Sequence, residues 1–346
     1  MSDFVLDVLK QVAEGRTLSA DTAERLMNQL MEGQLTPVHI AAFASAMAVR
    51  GETVAEIVGF ARAMRSHGTH VQVPFDVVDT CGTGGDGIGT LNISTTAAFI
   101  AASAGARVAK HGNRAVSSKS GSADVLQALG ARVDLTVAEA LECLKVCGFS
   151  FLFAPSYHPA LKYAAETRRQ LGFRTIFNIL GPLTNPANAK RQVIGVFRQD
   201  LVKKVGAALL ELGSEHALVV HGAGGLDEFS LAGETLVAEV RNGQLHEYTL
   251  SPEQVGLSRA PVEAIIGGDA AANAEQIRSI LAGKLGPARD VVLYNTGAVL
   301  YVSGIVGSIR EGVELAAHQV DSGAAEETLH KYIQATRVAQ TEEVAQ

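Results

Sequence analysis

The chain reads as an α/β protein in two parts: a small all-helical N-terminal domain over residues 1–72, and a larger domain over 73–346 with a mainly parallel central sheet. Three observations carry this reading. The first seventy or so residues show helix caps and apolar periodicity but no strand signal. From Asp76 onward, short apolar runs alternate with helical runs, the pattern of a parallel sheet covered by helices. Composition agrees. A chain of 346 residues can fill two domains, 47% of it is apolar, and glycine is abundant at 35 while Trp is absent. That suits many tight strand-to-helix turns and does not suit a sandwich or an aromatic binding surface.

In the helical part, Thr36-Pro37 supplies an N-cap and a proline at the first helical position, and Gly51 closes that helix. Thr53 and Glu56 form a capping box for the next one. The segment VQVPF, near residues 71–75, reads as a linker. DVVDTCG then reads as a strand with a Gly-rich exit, TTAAFIAASAG as a helix, ARVAKHG as a strand and SADVLQALG as a helix. Thr136 and Glu139 cap VAEALECLKVCG, FSFLFAP follows as a strand, and HPALKYAAETRRQLG is helical. RQVIGVF and EHALVVHG read as strands flanking a helix. Asn242-Gly243 between apolar runs signals a hairpin, and the last sixty residues are mostly helical. No internal repeat or low-complexity tract is present.

The net charge of −7 argues against a general nucleic-acid binder. Any anionic substrate must therefore meet local donors or a metal. Cys143 and Cys147 have no Cys or His at zinc-ligand spacing and read as small buried residues; with Cys81 they make a sparse, odd set that fits a reducing cytosol. The first fifteen residues lack the apolar core of a signal peptide, and no apolar run approaches the roughly 20 residues of a membrane span. The expected location is cytoplasmic.

Ligand sites in such sheets lie beyond the carboxyl ends of the strands, so chemistry is to be sought in the loops there. The first runs from Asp79 through Gly82-Thr83-Gly84-Gly85-Asp86 to Thr90-Leu91-Asn92-Ile93-Ser94-Thr95. Its glycines let backbone N–H groups approach a ligand, and a helix start follows, where an anion is favoured. It is neither a Walker A loop nor a dinucleotide fingerprint; a plain Gly-rich turn with a Ser/Thr cap is the structural alternative. The second loop, Lys110 to Asp124, crowds three cations, one His, one Asn and four Ser at a strand exit. A solvated loop would also be polar, but cations set among small residues straight after a strand point to an anion cradle.

GTGGDG, NIST, KHGNRAVSSKSGSAD, HPALK, RTIFNILGPLTNP and GLDEFS occur in this order and spacing. Together they resemble the anthranilate phosphoribosyltransferases of tryptophan biosynthesis over essentially the whole chain. The resemblance implies a fold of nucleoside phosphorylase/phosphoribosyltransferase type, with part of 160–190 joining the helical domain in space. It implies a homodimer formed through that domain, and phosphoribosyl pyrophosphate (PRPP) held with two Mg2+ ions in the interdomain cleft. On the resemblance, PRPP would be bound by Gly82, Gly85, Asp86, Thr90, Asn92, Ile93, Ser94, Thr95, Lys110, His111, Gly112, Asn113, Arg114, Ala115, Val116, Ser117, Ser118 and Ser122. Gly82, Asn113 and Arg168 would contact anthranilate, and Ser94, Asp227 and Glu228 would hold metal. His111 and His158 are candidates for the proton shed after attack; for His158 a structural role in its own helix or under the loop is the alternative. Arg168, ten residues after His158, suits a carboxylate, while Arg169 reads as solvated. Many relatives carry Pro-Val where Glu166-Thr167 stand here, which bears on the local helix geometry. Two other readings are a pyrimidine-nucleoside phosphorylase-like enzyme and a non-catalytic relative that binds nucleic acid. The first would need a different Gly-rich loop, and the second a basic surface.

Overall fold

A computed structural model of the chain describes residues 3–115 and 119–343. Four helices open it: Asp3–Ala13, Ala20–Met31, Pro37–Arg50 and Val54–His67. The caps legible in the sequence form. The Thr36 hydroxyl accepts from His39 N with Pro37 in the first turn, and Thr53 and Glu56 exchange bonds as a capping box. Glu56 does more than cap. Its carboxylate is fully buried, so it needs several partners. It accepts from Leu18 N at 2.8 Å, from Thr53 N and Oγ1 at 2.9 Å each, and from the Arg50 guanidinium at 2.6 Å, tying the second helix's entry loop to the third and fourth helices.

Seven strands follow: β1 Val78–Gly82, β2 Val108–Gly112, β3 Phe149–Phe153, β4 Arg191–Gly195, β5 His216–His221, β6 Thr235–Arg241 and β7 Gln244–Leu250. Their order in the sheet is β3-β2-β1-β4-β5-β6-β7. The first five are parallel, and β6 and β7 are antiparallel. Asn242 and Gly243 both take positive φ, 52° and 71°, as the turn between β6 and β7 requires. The apolar run FSFLFAP does not continue as strand to its end. β3 stops at Phe153, and Ala154–Tyr157 form a helical turn. Pro155 has no N–H for the ladder and a φ suited to a first helical turn.

Two apolar layers cover the sheet. On one side Phe99, Phe149, Phe151, Tyr294 and Tyr332 pack in one cluster. On the other, Leu26, Phe43, Phe60 and Met64 of the opening helices share a cluster with Ala164, Ile176, Phe177 and Leu180, and with Ile194, Ala217 and Val219 of the sheet. The segment Lys162–Leu180 is thus remote in sequence from the first four helices but packs among them. The helix Lys162–Leu171 runs unbroken through Glu166-Thr167, because Thr167 turns inward and Glu166 pairs on the surface with Arg169 at 2.5 Å.

Candidate active site

β2 and β3 run off to one side of β1, while β4 and β5 lie on the other, so the strand order reverses between β1 and β4. A crevice opens at such a switch point. Here β1 and β4 end in register at Gly82 and Gly195. A Cβ on Gly82 would strike the Asp227 carboxylate, and one on Gly195 the Asp227 backbone carbonyl. Both are glycine because the turn after β5 lays Asp227-Glu228 directly over the strand ends.

That placement buries both acids, Asp227 to 7% and Glu228 to 6% exposure. Asp227 accepts from Gly84 N at 2.6 Å. Burial, with Asp86 and Glu228 adding like charge, pushes its carboxyl well above the usual range. Burial likewise pushes Glu228 up to about 7, offset in part by the Lys110 ammonium and by Ser94. Lys110 is itself buried, donating to Thr80 O and to Ser94 Oγ at 3.0 Å. Beneath lies Asp79, wholly buried and pushed up to about 6 by desolvation; Asn185 Nδ2 at 2.7 Å and His111 N at 3.2 Å donate to it. One ammonium thus serves Asp79 and Glu228, with Asp227 buried beside them. This is a site short of positive charge, and it fits a divalent cation. Among the described residues no three His, Cys, Asp or Glu side chains converge into a cage that holds metal unaided. Mg2+ suits such a set, since it takes one or two carboxylates together with substrate oxygens.

The crevice holds about 300 Å³. Every described residue named from the sequence as a PRPP, anthranilate or metal contact lines it except Thr95, which stands behind the wall with its hydroxyl on Ser122 Oγ at 3.1 Å. Val116, Ser117 and Ser118 lie outside the described residues. Gly84 and Gly85 take φ of 72° and 76°, turning backbone N–H groups along the loop's rim. Arg114 is oriented by Asp124, which takes Nη1 of its guanidinium at 3.0 Å and also accepts from Ala115 N and Gly121 N, drawing the second loop's ends together. A larger hollow of about 470 Å³ opens elsewhere, lined by Arg65, Lys190 and Arg191, but Arg65 and Arg191 are turned onto backbone carbonyls.

One end of the crevice is apolar. Met64, Leu161, Phe177 and Pro182 line it, with the Arg168 guanidinium 5.3 Å from the Phe177 ring centroid. Burial lowers the pKa of Arg168, and among the described residues no carboxylate lies within salt-bridge distance. A desolvated guanidinium beside an aromatic wall suits a planar aromatic carboxylate. Next to it, the rings of His111 and His158 meet edge to face at 5.2 Å. Nδ1 of His111 reaches Gly181 O at 3.1 Å and Nε2 of His158 reaches Thr184 O at 2.9 Å. Carbonyls only accept, so those nitrogens carry the protons, and Nε2 of His111 is left as a buried acceptor with no partner among the described residues.

Burial, reinforced by His158, pushes His111 down to about 3. Unfolding would restore roughly 6.5. The unfolded chain then binds a proton that the folded chain refuses, so stability falls as pH drops from about 6.5 toward 3, by roughly 1.4 kcal/mol per unit. In urea unfolding between pH 6.5 and 5, His111→Gln should flatten that slope. An unchanged slope would assign it to another group.

Asp79, Asn185, Asp124 and Phe177 were not singled out by sequence. Asp124 had a local signal, an acid three residues after Gly121 where a helix begins. Asp79 heads the first loop, and Phe177 and Asn185 stand within the motif RTIFNILGPLTNP, but the contacts they make act across the fold and had no local signal.

A wall of anion donors facing buried acids, with a buried guanidinium beside an aromatic ring, is an arrangement suited to an anionic substrate together with a cation. Two family models match, the glycosyl transferase family helical bundle domain over residues 6–68 and the a/b domain over residues 75–326. The chain is 50% identical to an anthranilate phosphoribosyltransferase of Rubrobacter xylanophilus, covering 96% of this chain and 97% of that protein. It is 52% identical to one from Nitrosospira multiformis, over 95% of each. The crystal structure of an anthranilate phosphoribosyltransferase from Thermus thermophilus superposes with a TM-score of 0.90 at 44% identity, covering 96% of this chain and 99% of that one. The Saccharomyces cerevisiae enzyme in complex with PRPP and Mg does so at 0.88 and 26% identity, over 98% and 99%. The chain belongs to the anthranilate phosphoribosyltransferase family.

Proposed function

We propose that this crevice joins the ribose of PRPP to the amino nitrogen of anthranilate, giving N-(5-phosphoribosyl)anthranilate and pyrophosphate, a step of tryptophan biosynthesis. The observation that carries the reading is the meeting, at one switch point, of the buried Asp227-Glu228 pair, the Lys110 donor and the Arg168–Phe177 pocket.

In this reading the loops Gly82–Thr95 and Lys110–Ser122 bind PRPP. Ser94, Asp227 and Glu228 hold Mg2+, as two ions, and bound Mg2+ supplies positive charge that stabilises the departing pyrophosphate. The chain's own residues do the rest. Lys110 adds a fixed ammonium at the leaving-group side. Arg168 takes the anthranilate carboxylate and Phe177 its ring, while Asn113 and Gly82 border both substrates. The aniline nitrogen is neutral at pH 7 and needs no strong base. As its lone pair bonds to the anomeric carbon, the bond to pyrophosphate breaks and one N–H proton is released. With a pKa near 3, His111 is too weak a base to keep that proton. Its unpartnered Nε2 instead accepts an N–H and aims the lone pair, so positioning contributes more to the rate than proton removal does. His158 holds the helix turn through Thr184 and backs His111. Loss of anthranilate fluorescence on mixing with PRPP and Mg2+, absent when either is omitted, tests the activity; no loss would overturn it.

The same reading makes residues 1–72, with part of 160–190, a helical domain that dimerises. On the helix Pro37–Arg50, Ile40, Phe43 and Met47 face the core, while Val38 and Val49 remain 76% and 91% exposed. Apolar residues left outward in this way mark an association face. Light scattering at micromolar concentration should give a dimer; a monomer would overturn this. No helix among the described residues is long and apolar enough to cross a membrane, and the three cysteines are free and buried. The reading makes the protein a cytoplasmic enzyme, which subcellular fractionation can check.

A further inference from the structure

We infer that Asn273 is a positioning residue that locks the two PRPP loops to each other, with Gly267 as the close contact that lets it do so. The inference rests on the assignment of those loops to PRPP. Asn273 lies far from both loops in sequence, on the helix Ala270–Leu281, and is 1% exposed. It does not line the crevice. Its Oδ1 accepts from Gly268 N at 2.7 Å, and its Nδ2 donates to Asn92 Oδ1 at 2.9 Å. Asn92 Nδ2 in turn donates to Ser120 O at 3.2 Å.

This chain of bonds has one solution. It begins at a backbone N–H, which only donates, and ends at a backbone carbonyl, which only accepts. Asn273 must therefore accept at one end and donate at the other, and so must Asn92. Asn92 closes the first loop and opens the helix Ile93–Ser103 that carries Ser94; Ser120 belongs to the second loop. Without the Asn273 donor, Asn92 Oδ1 keeps only the long contact from Ser120 Oγ at 3.4 Å, and the amide loses the partner that fixes it to Ser120. Both loops then lose their common register.

The strap before the helix is fitted to the same loop. Leu91 N donates to Ile265 O at 3.1 Å, Gly267 N donates to Gly89 O at 2.9 Å, and Thr90 bridges Ile266. A Cβ on Gly267 would lie 2.6 Å from Asn273 Oδ1, 2.7 Å from Thr90 O and 2.8 Å from Leu91 N. No side chain fits there without pushing the strap off the loop or displacing the Asn273 amide.

Asn273→Asp keeps the shape and the Gly268 bond but sets oxygen against Asn92 Oδ1. Gly267→Ala attacks the same lock from the strap. Both should raise the PRPP KM about tenfold or more, the range expected for leaving one buried polar group unpaired. The anthranilate KM should stay near wild type, while the thermal midpoint should fall in both variants, because one buries a carboxylate and the other a misfitting Cβ. A lower midpoint with an unchanged PRPP KM would overturn the inference, since Asn273 would then only anchor its helix. Equilibrium dialysis with labelled PRPP separates the two levels. If the wild type binds PRPP and both variants bind it equally well, the positioning role fails. If the wild type binds none, the loop assignment itself fails.

Discussion

Asp227→Asn combined with Glu228→Gln should lower turnover on the order of 100- to 1000-fold and raise the Mg2+ concentration needed for half-maximal rate. The same double variant should be more stable than wild type in EDTA. Both acids are buried, Glu228 with the Lys110 ammonium as partial offset, and both are pushed toward the neutral form by that burial. Neutral isosteres remove the desolvation penalty and keep the volume. The Asn amide oxygen can still accept from Gly84 N. Loss of activity with a higher midpoint is the signature of groups kept for function against stability. Wild-type activity at the same low Mg2+ would show that the acids are only a turn over Gly82 and Gly195. A lowered midpoint would mean that they stabilise the apo fold, contrary to their burial.

What the sequence disclosed about this site follows from how far each signal reaches along the chain. Thr53-Glu56 and Thr136-Glu139 are local pairs, three residues apart, and both boxes form. Strand exits are local as well, so the two loops and the acid pair after β5 could be found by following apolar runs to their ends. The reason for Gly195 could not, because the group it admits, Asp227, stands beyond the next strand. Asn185 is bonded to Asp79 across a separation of 106 residues, and Asn273 to Asn92 across 181. Nothing in a single chain marks such pairs.

Arg114 shows the opposite limit. As a cation in a loop of small residues it reads as an anion donor, and the geometry adds that Asp124, ten residues on, holds one of its nitrogens while the side chain still lines the crevice. Charge in a sequence tells what a group can bind but not which partner reaches it first. The stretch 158–172 was legible as helix, and the family resemblance led to the expectation that part of 160–190 joins the first domain. That it also supplies the aromatic wall, through Phe177, depended on the packing of Phe177 against Phe43 at 6.0 Å and beside Arg168.

Arg168→Ala should raise the anthranilate KM by an amount equivalent to about 2–5 kcal/mol, roughly 30- to 4000-fold, and leave the PRPP KM nearly unchanged. The range is that for truncating one partner of a desolvated charge pair. Its upper part applies only if the guanidinium is dry in the complex. The lowered pKa of Arg168, caused by burial, and the ring of Phe177 on one side support that condition. Arg169 provides the control within the same helix turn. It is solvent-exposed and held by Glu166, so Arg169→Ala should change neither KM. Arg168→Lys separates charge from shape, because an ammonium keeps the charge but cannot make a two-pronged contact with a carboxylate or lie flat on Phe177. It should recover only a small part of the loss. If Arg168→Ala left the anthranilate KM unchanged, the carboxylate would have to be met elsewhere in the crevice. If Arg168→Lys restored it fully, the site would be reading charge alone, and the planar guanidinium beside Phe177 would play no part in recognising the aromatic acid.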